Sequence, residues 1–588
     1  MGTICVFALI GKESWLYGIA SHLIKEHPMK LDHDPGETLP AAYEGQIEEG
    51  EETEPALKRV NLRAQPTSPI KLPQPRVRRR RIPRIMIILL LIALIFALVH
   101  LISNLSASDD QLLVRIGNQG TAIVDLRQSL PISPYLSGAN VFPEFNFHSV
   151  DQVNGFMDYS SPVTDGLRNA HINLLRFPGG GWGEEHLLSY NQLNAFSILL
   201  LETGADGMIQ ARLSGAIGNS PYNLASLIDR ANLAGRWVDY MNNPYSGQRI
   251  GNYAHAPFHP IKFWTVGNEP DVLFNPDTGK PFTVAEYTNA FIQFSLIMHQ
   301  IDPTIQVFGP EISQFYGIGN SPTDSKGQLW MDSFLKGIGT YEKAHPGLKF
   351  HLLDGVSFHS YPLTDTSKAQ PILLSSSDEW NYLLPPLRQL IRQDLGRDTP
   401  IAVTEINTNP TINIPTSGLA ALWWADTLGT FMDQEVEYVA FFSTEGVDTP
   451  YPLFTSNGLR PTQMFRVMQV FSLLQHNLIP VAIQREPVSL YVTQDDTHQA
   501  VSLLFVNKSP VIQLAQVSAQ NQFPGMSPWH DINISLSGYS ITLVTLHRDG
   551  GAEAYSYNVP TIDKSEVGSL KYTICGKASD VLANDTPC

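Results

Sequence analysis

Two glutamates that follow apolar segments are the residues of this 588-residue chain most suited to chemistry. Glu269 follows the apolar part of FWTVGNEPD, and Glu405 lies in IAVTEINT. A carboxylate at the end of an apolar strand is costly unless it is paired or faces a cleft. Either glutamate alone is as consistent with a loop cap or a salt bridge as with catalysis. As a pair they match hydrolysis of a glycosidic bond, which needs one acid for the leaving oxygen and one carboxylate to attack the sugar or activate water.

Other polar side chains occupy similar positions at the ends of strand-like runs. These candidates are Arg176, Asn268, Glu311, His359, Tyr361 and Glu445. Glu311, in GPEIS, is more consistent with a structural role than with a substrate ligand. Glu445 is a candidate substrate contact, although a salt bridge within its loop explains it equally well.

Eight strand-like runs alternate with helix-like stretches and predict the elements that position these residues. The runs cover 135–142, 173–180, 207–214, 262–270, 306–313, 354–362, 401–408 and 437–446. Alternation of this kind indicates a parallel sheet, and eight units predict a closed (β/α)₈ TIM barrel in the α/β class, here over residues 131–474. Reactive groups of such barrels lie at the C-terminal ends of the strands, where both glutamates are found.

The pattern changes after residue 475, where helical periodicity gives way to alternating strands. Residues 475–548 are therefore predicted to form a β-sandwich domain, and residues 549–588 a polar tail. Residues 104–130 are predicted to form a stalk and the first strand of the same sandwich.

An uncharged run of 18 apolar or weakly polar residues, Ile85–Ile102, is long enough to cross a bilayer. Arginines precede it at positions 76, 78, 79, 80, 81 and 84. The positive-inside rule then predicts a transmembrane signal anchor at 85–103, with residues 1–84 cytoplasmic and largely disordered. The catalytic domain would be extracellular, on a single-pass protein of the cell membrane. A buried core helix and a cleaved signal peptide are the alternatives.

Composition excludes several other classes of protein. The net charge of −17 argues against a general nucleic-acid binder, and three cysteines are too few for a disulfide scaffold or a four-cysteine zinc site. Only Cys575 and Cys588 fall in the predicted exported part, where they could pair. His255 and His259 lack a ligand pattern, so we expect no metal and no other cofactor. The glycine-rich segment at 179–183 fails the dinucleotide pattern and is better explained as a loop that offers Trp182 for stacking on a sugar.

Residues 130–548 resemble the clan-A retaining glycoside hydrolases, which carry catalytic glutamates on barrel strands four and seven. The segments VGNEPDVLF, VSFHSYPL, AVTEIN and ALWWADTLGTFM are similar to the heparanase-like β-glucuronidases. The stretch from ISPYLSGANV to LLRFPGGGW also resembles α-L-arabinofuranosidases and endoglucanases that combine a barrel with a β-sandwich. Many members of the clan carry a tryptophan at the end of strand eight, where this chain has Phe441, Phe442 and Ser443.

The resemblance implies that Glu269 is the acid/base and Glu405 the nucleophile. It also implies that Asn268 holds the sugar 2-hydroxyl, that Arg176 pairs with the nucleophile, and that Tyr361 hydrogen-bonds it. His359 is expected close to Tyr361.

The resulting hypothesis is a membrane-anchored extracellular retaining glycosidase that acts on oligo- or polysaccharides by double displacement. The alternative is a catalytically silent carbohydrate-binding or cell-wall-attachment protein on the same fold. The pair Glu269 and Glu405 discriminates between them, because a silent protein has no chemical need for both.

Overall fold

The computed structural model describes residues 111–144, 156–214, 226–363, 373–408, 415–445, 451–455, 460–519, 529–530, 532–559 and 567–583. The predicted cytoplasmic segment 1–84 and the predicted anchor 85–103 lie outside these residues. Within the described ranges, no helix combines the length and apolar character needed to cross a membrane.

Three short strands precede the barrel and belong to the second domain. They are β1 (Gln111–Ile116), β2 (Gly120–Asp125) and β3 (Leu130–Pro131). The first two form an antiparallel hairpin, and β1 also pairs with a strand near residue 515.

Eight parallel strands then close into a barrel, which confirms the predicted architecture. They are β4 (Gly138–Asn140), β5 (Leu174–Phe177), β6 (Asp206–Ala211), β7 (Phe263–Val266), β10 (Gln306–Ile312), β11 (Gly355–Ser360), β12 (Ile401–Ile406) and β13 (Tyr438–Phe441), while β8 (Phe274–Asn275) and β9 (Lys280–Pro281) form a small hairpin after β7. Every residue of β12 and β13 is buried, because one face fills the barrel and the other packs on helices.

Helices surround the barrel in the described part of the chain. They are α1 (Ser161–Asn169), α2 (Trp182–Glu185), α3 (Tyr190–Thr203), α4 (Leu227–Asn242), α5 (Gly247–Tyr253), α6 (Val284–Ile301), α7 (Trp330–Ala344), α8 (Leu373–Ser376), α9 (Trp380–Leu395), α10 (Ser417–Asp433) and α11 (Gln463–Phe471). Local sequence fixes several of their starts: Ser189 with Gln192, and Thr283 with Glu286, form capping boxes at α3 and α6.

Eight more strands complete the β-sandwich. They are β14 (Asn477–Ile479), β15 (Val488–Gln494), β16 (Ala500–Asn507), β17 (Gln513–Ala519), β18 (Ile532–Leu536), β19 (Ser540–His547), β20 (Ala552–Asn558) and β21 (Lys571–Cys575). One sheet has the order β18-β17-β1-β2 and the other β21-β20-β19-β16-β15-β14-β3.

The prediction of a polar tail over 549–588 is wrong for its described part. Strands β20 and β21 extend the larger sheet beyond residue 548, with β20 paired to β19 along its length. Their alternating small, aromatic and polar residues carry a weak apolar signal, since these strands lie towards an edge of the sheet.

A layer of mainly large side chains fills the barrel interior near the N-terminal ends of the strands. It consists of Leu174, Met208, Phe263, Phe308, Ala402 and Tyr438. Side chains alternate along a strand, so the residue two positions later points to the same interior one layer higher. Arg176 and Thr404 occupy such positions, which places polar groups directly above an apolar floor.

A buried polar cluster joins the barrel to the sandwich. Asp426, in α10, accepts hydrogen bonds from the Tyr491 hydroxyl at 2.7 Å and the Lys508 ammonium at 2.9 Å. Both members of the Asp426–Lys508 ion pair are almost wholly shielded from solvent. The Tyr491 ring lies where Gly429 leaves room, since a Cβ atom at that glycine would come within 2.3 Å of the ring.

Replacing Asp426 by alanine should leave the Lys508 charge buried beside only one carboxylate, that of the half-exposed Glu486. We expect the free energy of unfolding to fall by about 3 kcal/mol, measured by urea denaturation. Asp398→Ala is the matched control, because Asp398 is 84% exposed and pairs only at the surface with Arg392. It should change stability by no more than about 0.5 kcal/mol, and equal losses in the two variants would contradict a stabilising role for the buried pair.

Candidate active site

Arg176 forms the centre of a polar cluster at the barrel mouth. It is fully buried on β5, and two of its guanidinium nitrogens donate to five side chains, one of them Gln210 at 3.4 Å. Nη1 donates to Glu405 at 2.9 Å and to Asn140 at 2.8 Å, while Nη2 donates to Asn268 at 2.9 Å and to Glu311 at 2.8 Å. Burial alone would lower the pKa of Arg176, but the two carboxylates outweigh it and the pKa is raised. The guanidinium therefore stays charged.

Glu405 is held by hydrogen bonds on both of its carboxylate oxygens. Besides Arg176 on Oε1, the Tyr361 hydroxyl donates to Oε2 at 2.7 Å, and His359 Nδ1 lies 3.4 Å from the same oxygen. Burial raises the pKa of Glu405, and the charges of His359 and Arg176 act against that rise. The carboxylate is thus fixed in one orientation and retains both oxygens close to the barrel axis.

Glu269 reaches the same place from the loop after β7. Gly267 has φ +78, and a Cβ atom there would come within 2.9 Å of Leu213, so this turn requires glycine. Glu269 itself has φ +47, and its backbone N–H donates to the carbonyl of Glu311 at 2.9 Å. Its carboxylate is 27% exposed, in contrast to the buried Glu405. One carboxylate oxygen of Glu269 lies within 4.8 Å of one of Glu405.

His359 lies between three carboxylates. Its Nδ1 is 3.0 Å from Glu269 Oε1 and 3.4 Å from Glu405 Oε2, and its Nε2 is 3.5 Å from Glu311 Oε2. Burial favours the neutral ring, but the surrounding negative charges raise the pKa of His359 to about 10. The ring is therefore an imidazolium at neutral pH, whose Nδ1–H donates to Glu269 while Nε2 forms only a longer ion pair with Glu311.

Glu311 is a third carboxylate of the site, and its preference for a structural role over substrate binding stays a prediction. The register of β10 shifts between Pro310 and Ile312, and Glu311 has φ +59, which directs its side chain into the barrel. It is fully buried and accepts a hydrogen bond from Thr404 at 2.8 Å in addition to its ion pairs. Although burial opposes ionisation, Arg176 and His359 lower the pKa of Glu311 to about 2. Glu311 thus holds the two cations of the site.

Glu269, His359 and Glu405 lie close enough together to be considered as metal ligands. A metal ion there would lie beside the buried positive charge of Arg176, which already donates to Glu405 at 2.9 Å. The donor set therefore fits proton transfer better than metal binding.

The remaining predicted residues follow barrel strands: Trp182 begins the helix after β5, and Glu445 follows β13. Trp182 is buried, with His186 stacked on its ring at 4.6 Å and Phe156 against it at 6.2 Å, so its stacking on a sugar stays a prediction. Glu445 is also buried and accepts the Asp158 backbone N–H at 3.1 Å. Its contact with substrate likewise stays a prediction.

Two residues near the centre were missed from the sequence. Asn140 follows the apolar part of the first barrel strand, and the same rule that selected Arg176 would have selected it. Phe442 packs edge-on against Tyr361 and Phe142, and a Cβ atom at Gly180 would approach its ring to 2.9 Å. Its aromatic character was visible in the sequence, but its neighbours were not.

Comparison with known proteins gives one family match and several similar folds. Residues 209–364 match the model of glycoside hydrolase family 44. The fold is similar to that of an α-L-arabinofuranosidase from Thermotoga maritima (14% identity, 76% of this chain and 92% of that one, TM-score 0.52). It is also similar to a family 51 α-L-arabinofuranosidase from Thermotoga petrophila (14% identity, 72% and 99%, TM-score 0.53). A search of curated sequences found no match. The resemblance to clan-A glycoside hydrolases and the prediction of a glycosidase are confirmed.

Glu445 provides a test of the electrostatics at the mouth. Burial raises the pKa of Glu445 to about 8, so the folded state retains a proton that the unfolded chain releases above its ordinary value of 4.5. Folding stability from this group therefore falls as pH rises between those values. Glu445→Gln should raise the melting temperature at pH 9 by on the order of 5 °C and leave it unchanged at pH 4.

The control for this experiment is Glu202→Gln, at an exposed position on α3. It should give the same small difference from the unmodified protein at both pH values. A Glu445→Gln protein no more stable than the unmodified chain at pH 9 would contradict the assigned burial cost.

Proposed function

We propose that this chain is a membrane-anchored extracellular retaining glycoside hydrolase that cleaves oligo- or polysaccharides by double displacement. The main support for this mechanism is the short distance between Glu269 and Glu405: one carboxylate oxygen of each lies within 4.8 Å of the other. Retaining enzymes hold their two carboxyl groups about 5–5.5 Å apart, whereas inverting enzymes need roughly 6.5–9.5 Å to admit a water molecule. The short separation supports attack on the sugar by a carboxylate.

Glu405 is suited to be the nucleophile. It is buried, held by Arg176 and Tyr361, and cannot rotate away from the anomeric carbon without breaking those bonds. Glu269 is suited to be the acid, since it is the most exposed of the three carboxylates and can meet the leaving oxygen. Arg176 and His359 supply two positive charges, so the cluster is neutral when the carboxylates share one proton. The acid step requires that proton on Glu269.

His359 is suited to serve both halves of the reaction. Before attack, its Nδ1–H can stabilise the carboxylate of Glu405, 3.4 Å away. Once Glu405 carries the sugar as an ester, the negative charge moves to Glu269, 3.0 Å from the same nitrogen. The imidazolium can therefore stabilise whichever of the two carboxylates is negative without moving, while Glu311 pairs with its other nitrogen. Glu269 then acts as the base that activates water.

The proposed location depends on the sequence and on one covalent feature. The uncharged run Ile85–Ile102 and the arginines before it favour an anchor with an exported C-terminal part. Cys575 is disulfide-bonded, which is typical of proteins in an oxidising compartment.

Substitution of the two glutamates separates their roles. Glu405→Ala should lower kcat at least about 10⁴-fold on every substrate, because the covalent intermediate cannot form. Glu269→Ala should still be glycosylated by an aryl glycoside with a good leaving group, and the intermediate should then accumulate. Added azide needs no base, so it should restore turnover of Glu269→Ala and give a glycosyl azide of retained configuration.

Proton NMR of the first-formed sugar checks the same mechanism in the unmodified enzyme. The product should keep the anomeric configuration of the substrate. An inverted product would remove the nucleophile role from Glu405 and make it a general base. Glu202→Gln is the control variant, because it leaves the barrel mouth unchanged and should retain full activity. Asn140→Asp would not serve, since it adds a negative charge beside Arg176.

Membrane topology has its own test. Protease added to intact cells that carry the full chain should digest the barrel and sandwich, whereas an epitope placed within residues 1–84 should survive. The opposite pattern, with the barrel protected, would contradict the anchor and leave the enzymatic proposal intact. Cells permeabilised with detergent before protease treatment provide the control, because both parts should then be digested.

A further inference from the structure

We propose that a cavity beside Tyr361 is a binding site for a second, uncharged sugar unit of the substrate. The inference rests on the proposed glycosidase function and deepens it by naming the class of glycan. The cavity has a volume of about 350 Å³, within the range of small-molecule sites. It lies between the segments that follow β10 and β11 and the first turn of α9.

Tyr361 belongs both to this cavity and to the catalytic centre. The residue lines the cavity, and its hydroxyl donates to Glu405 at 2.7 Å. Gln314 also lines the cavity, and its side-chain amide bonds both the N–H and the carbonyl of Tyr361 at 3.1 Å. A sugar unit in the cavity would therefore lie one residue, Tyr361, away from Glu405.

The lining has the chemistry that a neutral sugar requires. Phe315, Tyr316, Trp380 and Trp423 supply aromatic surface, and Ser360 and Ser376 supply hydroxyls. Tyr316 is 53% exposed, so its ring is available to stack on the C–H face of a sugar.

Charge in the lining argues against an acidic sugar. Glu379 is the one charged residue among the described residues that line the cavity, and it is negative. Among these described lining residues, a carboxylate or sulfate would meet a like charge and no cation. The cavity therefore favours a neutral sugar unit. The resemblance to heparanase-like β-glucuronidases instead suggests a substrate that carries uronic acids.

Hydrogen bonds link the wall of the cavity to the β-sandwich domain. Ser377 lies between lining residues Ser376 and Glu379, and its hydroxyl donates to Asp426. Asp426 in turn binds Lys508 of the sandwich. The ring of Trp380 packs against Phe431 at 5.0 Å. The cavity is thus formed before the ligand arrives, which reduces the entropic cost of binding.

Tyr316→Ala tests the site, with Tyr382→Ala as the matched control because Tyr382 is 77% exposed on α9 and does not line the cavity. A panel of glycosyl fluorides first identifies the cleaved sugar. A glycosyl fluoride has no sugar aglycone, so it reports on the catalytic centre alone. Tyr316→Ala should lower kcat/KM for a neutral oligosaccharide of that sugar about tenfold and leave kcat/KM for the fluoride unchanged. Tyr382→Ala should change neither value.

Two outcomes would overturn the cavity as a sugar site. One is an unchanged kcat/KM of Tyr316→Ala on the oligosaccharide, and the other is an equal loss on both substrates. Failure of the unmodified enzyme on every fluoride and every oligosaccharide would instead refute the glycosidase proposal itself.

A second experiment tests the preference for a neutral sugar. Glu379→Gln should raise kcat/KM for a uronic-acid-bearing oligosaccharide relative to the neutral one. If the unmodified enzyme preferred the acidic oligosaccharide, the preference of the cavity for a neutral sugar would be contradicted.

Discussion

The candidate site depends on one buried positive charge. Removing a guanidinium from water is expensive, and Arg176 recovers that cost through bonds to groups on β4, β10, β12 and the loop after β7. Because these partners come from separate strands, the charge is satisfied only when the barrel has closed with the correct register. The same bonds orient Glu405 and Asn268. Folding of the barrel and assembly of the site are therefore a single event, and a strand slipped by one residue would lose both.

The apolar layer below the site complements this charge. Phe263, Phe308 and Tyr438 pack with ring centroids 5.0–6.0 Å apart, and they close the barrel from its N-terminal end. Water is thereby excluded from beneath Arg176, which strengthens its electrostatic interactions with the carboxylates above. The polar layer is fixed from below by packing and from the sides by ion pairs. Glu269 is the exception, since it is partly exposed and free to meet a ligand.

Much of the barrel could be predicted from sequence because most strands are short apolar runs with a polar residue near or just after their C-terminal end. That rule located the candidate glutamates, Arg176 and His359. It did not reveal that Glu311 binds both cations, because contacts across a barrel depend on closure and on the register shift in β10. The two last strands of the sandwich were missed for a different reason. Their sequences, AEAYSYN and KYTIC, mix aromatic, small and polar residues and read as a loop without their neighbours.

The pairing of β1 with β17 has a consequence for biosynthesis. Val114 lies opposite Val517, so the first strand must wait for about 400 residues to emerge before its partner exists. At typical synthesis rates of roughly 5–20 residues per second, the delay is on the order of 20–80 s. During that time the apolar face of the β1–β2 hairpin has no sheet to cover it. Until β17 is made, the free edge of β1 is open to pairing with other chains.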